Sequence, residues 1–223
     1  MYDGDYIERL LLFEKPLTSR FRKKYVEFLA LEILQYCYGD FYKKFNVYDS
    51  PDLCDKERVV GIEVTEAVTI EEAQIKSEFV KYRLENDSSK KERRRQIIEN
   101  NGGRVEKFGL SYPVKNSKSE IVTFQNAIRK KMEKLSLHRC RGFKTLGLFI
   151  FYDESPIPIK IELLEECFDQ VLNEYNDKYY FLYFGYSCGL VYYDIVNSDI
   201  QVKIIDRSDY DKLMYAARVK TDI

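Results

Sequence analysis

The segment Leu146–Asp153, LGLFIFYD, constrains the fold most, because it is an unbroken apolar run that ends at an aspartate. Such a short run is typical of a strand that is buried on both faces. Helical spacing is found at 20–38, 123–135 and 161–175, and a last short helix is predicted at 209–218. Further strands are predicted at 45–48, 59–65, 179–186, 190–195 and 200–205. The alternation of these elements predicts a mixed α/β class, in which the last strands are close enough to form hairpins.

Residues 70–120 differ from the rest of the chain, because they are charged and poor in aromatic side chains. They include the dense run 90–95, KKERRR, and the turn signal 100–103, NNGG. We interpret this region as a charged helical insertion that ends in an extended segment near 105–110. A chain of 223 residues is otherwise the length of one domain, so 1–223 is predicted to be a single domain that contains this insertion.

The composition excludes several classes of protein. With 45% hydrophobic residues the chain can bury a core, which excludes wholesale disorder. A formal charge of −1 excludes a histone-like polycation but not a local nucleic-acid cleft. Five widely spaced cysteines favour reduced thiols in a cytoplasmic protein. Because the N-terminus lacks the basic region of a signal peptide and no apolar run approaches the roughly 18 residues of a membrane span, we expect no membrane association.

Asp52 and Glu63 form the first candidate site. A hairpin over 52–65 that turns near Glu57 places them opposite each other, and alternation puts Glu63 and Thr65 on one face. That acidic face is expected to look into a cleft or into water. Two opposed carboxylates repel each other, and a divalent cation between them reverses this effect; hard oxygen ligands suit Mg²⁺. An exposed face on which both acids are merely solvated is the alternative that the pair alone leaves open.

Two predicted helices carry charged residues at unexpected positions. Glu32 lies in the middle of an aromatic stripe of the helix 20–38, Lys131 lies near the centre of the apolar stripe of 123–135, and Lys134 lies at the edge of that stripe. A charge centred on a core-facing stripe is costly unless it is paired or borders a cleft. Exposure near a helix end for Glu32 and a side chain that extends its amine into solvent for Lys131 are the alternatives.

The run Pro51-Asp52…Gly61-Ile62-Glu63-Val64-Thr65, preceded by a helix with an acid, resembles the PD-(D/E)XK nuclease superfamily, which has the restriction-endonuclease-like fold. The later helix with Ala127-Ile128 and its two lysines, followed by LGLFIFYD, also resembles some uncharacterised members. The resemblance covers roughly residues 20–153 and is interrupted by the insertion. The order helix, hairpin, helix, strand supports it beyond the short motif.

This resemblance implies a mixed sheet flanked by helices, with Mg²⁺ or Mn²⁺ as the cofactor. It implies that Asp52 and Glu63 bind the metal and that Glu32 is a helix acid that joins them. The position at which the family has a lysine that orients or activates water is Thr65 here, and threonine cannot supply a positive charge. Either Lys131 or Lys134 reaches the site from the helix, as migrated lysines do in some members, or catalysis is lost. We favour migration.

The implied activity is hydrolysis of phosphodiester bonds in DNA, in which the metal activates a water molecule and neutralises developing charge. The candidates for contacting DNA phosphates are the basic residues of the insertion, namely Lys90, Lys91, Arg93, Arg94 and Arg95. Interleaved acids fit a solvated helix face equally well.

A catalytically inactive nuclease-fold protein that binds nucleic acid or a protein partner is the alternative function, and Thr65 favours it. An interaction domain without nuclease ancestry would require that Asp52 and Glu63 do not share a face. A homodimer would suit a nuclease that cuts two strands, but no feature of the sequence shows one.

Overall fold

A computed structural model describes residues 19–107, 109–112, 117–135, 142–152 and 160–221. The helices are α1 (Ser19–Tyr38), α2 (Asp40–Lys43), α3 (Ile70–Leu84), α4 (Ser88–Asn100), α5 (Ser117–Met132), α6 (Ile161–Leu172) and α7 (Arg207–Thr221). The strands are β1 (Phe45–Val47), β2 (Leu53–Asp55), β3 (Val60–Glu66), β4 (Arg104–Glu106), β5 (Gly109–Ser111), β6 (Thr145–Tyr152), β7 (Phe181–Tyr186), β8 (Gly189–Asp194) and β9 (Asp199–Ile204). The chain forms two compact units, of which the larger comprises Lys24–Ala67 and Ser117–Ile223 and the smaller comprises Met1–Lys23 and Val68–Asn116.

The larger unit contains a seven-stranded sheet with the order β1-β2-β3-β6-β7-β8-β9. Strands β3, β6 and β7 are parallel to one another, and the other neighbouring pairs are antiparallel. Parallel strands occur mostly in sheets with both faces covered, which agrees with the apolar sequence of β6. All residues of β6 after Thr145 are buried. The predicted α/β class and mixed sheet are therefore confirmed.

Helices cover both faces of this sheet. On one face, Phe124 and Ile128 of α5 and Phe168 of α6 pack in one buried cluster with Leu148 of β6. On the opposite face, the ring of Tyr38 at the end of α1 lies 5.7 Å from that of Tyr183 on β7. The two faces of the sheet therefore have different helical covers.

Glycine is required where β6 meets β7. A Cβ atom on Gly147 would overlap the ring of Phe181, its cross-strand partner. Phe181 therefore lies across the backbone of β6, and a larger residue at 147 would displace the ring. Gly61 on β3 is similar, because a Cβ atom there would lie 2.6 Å from Cγ of Pro51. The lack of a side chain at Gly61 therefore allows the segment that carries Asp52 to lie close against β3.

Within its described residues, the smaller unit contains the first residues of α1, helices α3 and α4, and the two-stranded ladder of β4 and β5. Thr69 and Glu72 form a capping box that begins α3, and the Asp87 side chain caps α4 by accepting from the Lys90 N–H. Helices with such caps begin at defined residues. The predicted extended segment near 105–110 is a β-ladder, in which Val105 pairs with Leu110.

Of the helices that the structure describes, none combines the length and the apolar composition needed to cross a bilayer. The four cysteines in the described ranges, Cys37, Cys54, Cys167 and Cys188, are free thiols. Burial raises the pKa of the Cys37 thiol to about 11. This side chain is therefore protonated, and hence a weak nucleophile, at neutral pH.

Candidate active site

The hairpin of β2 and β3 has the register that the sequence predicts. Leu53 pairs with Ile62 and Cys54 pairs with Gly61, so the antiparallel ladder, extended by one residue, places Asp52 opposite Glu63. The main-chain N–H of Val64 donates to Oδ2 of Asp52 at 2.8 Å, which fixes the carboxylate beside β3. The predicted register is therefore confirmed.

A third acid of the hairpin, Asp55, has a structural role. Its Oδ1 accepts hydrogen bonds from the backbone N–H groups of Val59 at 2.9 Å and Val60 at 3.2 Å. The main-chain N–H of Arg58, which has a positive φ of 57°, donates to the Asp55 carbonyl oxygen at 3.1 Å. These three bonds hold the turn in one conformation and thereby set which residues of β2 and β3 face each other.

The register across the sheet shows which face carries Glu63. Glu63 is the cross-strand partner of Leu148, which in turn pairs with Leu182, and both leucines belong to the core cluster beneath α5 and α6. Asp52 is only 3% exposed and Glu63 only 5%. The two carboxylates therefore do not face open water, which excludes the alternative in which both acids are merely solvated on an exposed face. They are buried because β3 is an interior strand and because α5 packs over it.

Lys131 of α5 lies between the two buried carboxylates. Its Nζ atom is 2.6 Å from Oε2 of Glu63 and 3.3 Å from Oδ2 of Asp52. The lysine side chain is 17% exposed, compared with 4% for the Asp52 side chain and 7% for that of Glu63. Lys131 therefore separates the acids from solvent and supplies the positive charge that two neighbouring carboxylates require. We call Asp52, Glu63 and Lys131 the acid–lysine cluster. Its formal charge is −1.

Helix α5 places this lysine through its amphipathic pattern. Phe124, Ala127 and Ile128 are buried in the core, and Lys131 follows one turn later on the same stripe. The predicted apolar stripe is thus correct, and Lys131 near its centre contacts the carboxylates of Asp52 and Glu63.

Tyr179, which precedes β7, is a residue of this site that the sequence did not indicate. Its hydroxyl donates to the main-chain carbonyl oxygen of Lys131 at 3.2 Å. Burial raises the pKa of Tyr179, and the negative charges of Glu63 and Asp52 raise it further. Its proximity to the acids results from the alignment of β7 beside β6, and no local sequence signal reports that alignment.

Thr65, at the position of the missing motif lysine, is partly buried on the same face as Glu63, as alternation along β3 requires. Its cross-strand partner on β6 is Ile150, a member of the same core cluster. The positive charge at this end of the sheet therefore comes from α5 and not from β3.

Two other predicted site residues do not join the cluster. Glu32 on α1 forms an ion pair with Lys220 on α7. Lys134 follows the end of α5 and is exposed to solvent. In the described ranges, no group of three or more His, Cys, Asp or Glu side chains is arranged to hold a metal ion. The expectation that Glu32 completes the acid pair is therefore not met.

The predicted phosphate-contacting residues lie on α4 in the smaller unit. Arg94 forms ion pairs with Glu78 at 3.0 Å and Glu85 at 3.5 Å, and Arg95 lies 3.5 Å from Glu99. The Lys91 ammonium lies 4.9 Å from the centre of the Tyr82 ring. Across the described ranges, the side chains of Lys90 and Arg93 have no ion-pair partner within 4.0 Å. The basic run thus divides into residues that hold the unit together and two exposed cations, Lys90 and Arg93.

The carboxylate oxygens of the acid–lysine cluster are the kind of donor atom that binds Mg²⁺. Mg²⁺ is commonly bound by one or two carboxylates and retains several water ligands, so it does not require a third acid. Asp52 and Glu63 supply the two carboxylates, and they converge on one nitrogen at 3.3 and 2.6 Å. The Lys131 ammonium already provides positive charge beside the two carboxylates, so a divalent cation at this position would have to compete with it.

A cavity of about 430 Å³ lies on the other face of the sheet. It is lined by Tyr38, Phe41, Tyr42, Val60, Thr145, Phe181, Tyr183, Tyr192 and Gln201. Tyr183 is the cross-strand partner of Phe149, whereas Glu63 aligns with Leu148, so the sheet separates this cavity from the acid–lysine cluster.

Comparison with known proteins provides no relative from which a role could be transferred. No protein-family model matches the chain, and no curated protein and no solved structure matches it. The acid–lysine cluster therefore has to be interpreted from its own geometry.

Proposed function

We propose that the protein is a Mg²⁺-dependent nuclease with a restriction-endonuclease-like fold that hydrolyses phosphodiester bonds of DNA. One observation carries the proposal: Lys131 from a separate helix lies within 3.3 Å of both Asp52 and Glu63. The resemblance leaves a lysine missing at Thr65, and an amine at this place supplies the charge that Thr65 cannot.

The order of elements supports the fold part of the proposal. Helix α1, the β2–β3 hairpin, helix α5 and strand β6 follow one another in the order of the resembling family, with α3, α4, β4 and β5 as the interruption. Asp52 directly precedes β2 and Glu63 lies in the middle of β3, in agreement with the motif. Glu32 departs from the pattern, since it pairs with Lys220.

In this proposal Asp52 and Glu63 would hold the metal ion. When bound, Mg²⁺ would lower the pKa of water and neutralise charge on the phosphate. Lys131 is positioned to donate hydrogen bonds to the attacking water or to a phosphate oxygen, because its ammonium has three donors and is partly exposed. The Val64 N–H keeps Asp52 in place, and the Tyr179 hydroxyl holds the end of α5 through the Lys131 carbonyl oxygen. No protein nucleophile is required.

Lys90 and Arg93 are proposed as the cations that contact the DNA backbone, because both are exposed and neither is used in an ion pair within the described ranges. Each such contact would release counterions and add to the salt dependence of binding. Arg94 and Arg95 are better explained by their pairing with Glu78, Glu85 and Glu99.

The burial of the acids favours a second candidate, a catalytically inactive protein of the same fold that binds nucleic acid or a protein partner. Asp52 and Glu63 are almost inaccessible, and Lys131 already neutralises one of their two charges. In that case the cluster is a buried ion pair that fixes the packing of α5 on the sheet, a specificity role seen in some proteins.

A cleavage assay on several substrates distinguishes the two candidates. The protein is incubated with supercoiled plasmid, linear duplex, single-stranded DNA and RNA in Mg²⁺, Mn²⁺ or EDTA. The matched variants are Lys131→Met and Lys130→Met, because Lys130 is an exposed neighbour on the same helix. The nuclease proposal expects metal-dependent cleavage that falls by about 10²–10³-fold in Lys131→Met only, as for other lost transition-state donors. DNA binding without cleavage in either metal would establish the inactive alternative.

A further inference from the structure

Strand β9 forms one edge of the large sheet. Among the strands that the structure describes, β9 ends the sheet and pairs only with β8. Five of its six residues are exposed, and they include Val202 at 39% and Ile204 at 80% exposure. Natural proteins usually shorten, bend or charge such an edge, or place proline in it, because its free N–H and C=O groups can pair with another chain. The sequence DIQVKI contains one lysine and no proline.

The ladder shows which backbone groups of β9 point away from β8. The N–H of Ile205, directly after β9, donates to the carbonyl oxygen of Cys188 at 2.9 Å. Hydrogen-bonding direction alternates along a strand, so the odd-numbered residues of β9 direct their N–H and C=O groups towards β8. The N–H and C=O groups of Ile200, Val202 and Ile204 therefore point outward at the sheet edge.

We propose that β9 pairs with β9 of a second copy of this chain, antiparallel and centred on Gln201. In this register Asp199 of each copy lies opposite Lys203 of the other, and Ile200 lies opposite Val202. Ile200 and Val202 both direct their hydrogen-bonding groups outward, so these pairs are the hydrogen-bonded ones. The two-fold axis passes through the Gln201 pair, as a closed isologous interface requires.

Charge selects this register from the others that the backbone allows. The outward N–H and C=O groups of the two copies meet only in registers that pair even-numbered residues of one β9 with even-numbered residues of the other. The second strand can therefore shift along the first only in steps of two residues. Slipping by one such step in either direction places Lys203 or Asp199 opposite Gln201. Slipping by two steps places Lys203 opposite Lys203, or Asp199 opposite Asp199, which is repulsive. The Gln201-centred register alone has two reciprocal ion pairs.

The side chains concerned are able to reorient. Asp199 and Lys203 are both exposed in the single chain. Asp199 accepts a hydrogen bond from Nε2 of Gln201 at 2.9 Å, and the Lys203 ammonium lies 5.6 Å from the centre of the Tyr38 ring. Exposed contacts of this kind contribute little energy, so cross-strand ion pairs can replace them. The dimer does not rest on the proposed nuclease function, since none of its residues belongs to the acid–lysine cluster.

Charge reversal tests both the dimer and its register. Sedimentation equilibrium over a range of protein concentrations is measured for the wild type, Asp199→Lys, Lys203→Asp and the double variant. Each single reversal places two pairs of like charges across the axis and should weaken dimerisation by about tenfold or more. The double variant restores two opposite pairs and should dimerise like the wild type. Glu162→Lys, an exposed change on α6, is the control for altered net charge.

A backbone variant provides the second readout. Val202→Pro removes an outward N–H without removing a bond to β8, so it should abolish the dimer and leave the circular dichroism spectrum unchanged. A wild type that sediments as a monomer at every concentration overturns the proposal. A dimer that survives Val202→Pro, or a double variant that stays as weak as the single variants, also overturns it.

Discussion

The ammonium nitrogen of Lys131 lies 2.6 Å from Oε2 of Glu63, although 68 residues separate the two in the chain. The intervening sequence contains the 68–116 part of the smaller unit, so the site depends on α5 returning to the strand from which the insertion departs. Core packing of Phe124 and Ile128 secures that return. The charge pair and the hydrophobic face of α5 are thus parts of one packing arrangement.

Lys131→Met should destabilise the fold, because it removes a positive charge that two buried carboxylates contact. Removing one partner of a buried ion pair typically costs about 3–5 kcal/mol. Chemical denaturation measures the loss, and Lys130→Met should change the free energy of unfolding by less than about 0.5 kcal/mol. Addition of Mg²⁺ should recover part of the stability of Lys131→Met, because the ion can take the vacated place. Equal stability of the two variants would contradict the buried-pair account.

Thr65→Lys should restore cleavage in the Lys131→Met background. Thr65 lies on the same face as Glu63, two residues further along β3, so a lysine there can extend an amine towards the same carboxylates. Plasmid cleavage by the double variant is compared with that of Lys131→Met and of the wild type. Partial recovery is expected. A double variant that regains stability but no activity would argue against a migrated lysine.

The site could be predicted from the sequence to the extent that local patterns determine it. The hairpin register follows from a short turn between two strands, and the position of Lys131 follows from helical periodicity. The role of Glu32 could not be predicted, since its partner Lys220 is 188 residues away on α7. The burial of Asp52 and Glu63 depends equally on tertiary packing, because alternation along β3 does not report which helix covers each face.

Stability should fall above pH about 10, the usual pKa of tyrosine. Burial, with a hydrogen bond to Asp169, raises the pKa of Tyr193 to about 12. Between about pH 10 and 12 the folded state therefore keeps a proton that the unfolded state loses. The free energy of unfolding is unaffected by this group below about pH 10 and decreases between about pH 10 and 12. Tyr193→Phe should flatten this decline in denaturation experiments, whereas Tyr180→Phe, at an exposed position, is the control. An unchanged slope in Tyr193→Phe would contradict the assignment.

The variant Lys90→Ala/Arg93→Ala should weaken DNA binding and reduce its salt dependence. Loss of two phosphate contacts should lower the slope of log K against log salt by about 1.8. Fluorescence anisotropy with a labelled duplex measures this slope. Arg94→Ala should instead lower the melting temperature, because Arg94 joins α4 to Glu78 on α3. A slope that is unaffected by the double substitution would exclude these residues from DNA contact.

The central claim is tested most directly by cleavage of supercoiled plasmid in Mg²⁺ by the wild type, Asp52→Asn and Glu63→Gln. Both substitutions keep the side-chain shape and remove one metal-binding charge, and circular dichroism verifies that each variant is folded. A nuclease site predicts cleavage by the wild type that stops with EDTA and falls by about a hundredfold or more in each variant, because several kcal/mol of metal stabilisation are lost. Undiminished cleavage by both folded variants, or no cleavage by the wild type in Mg²⁺ or Mn²⁺, would contradict it.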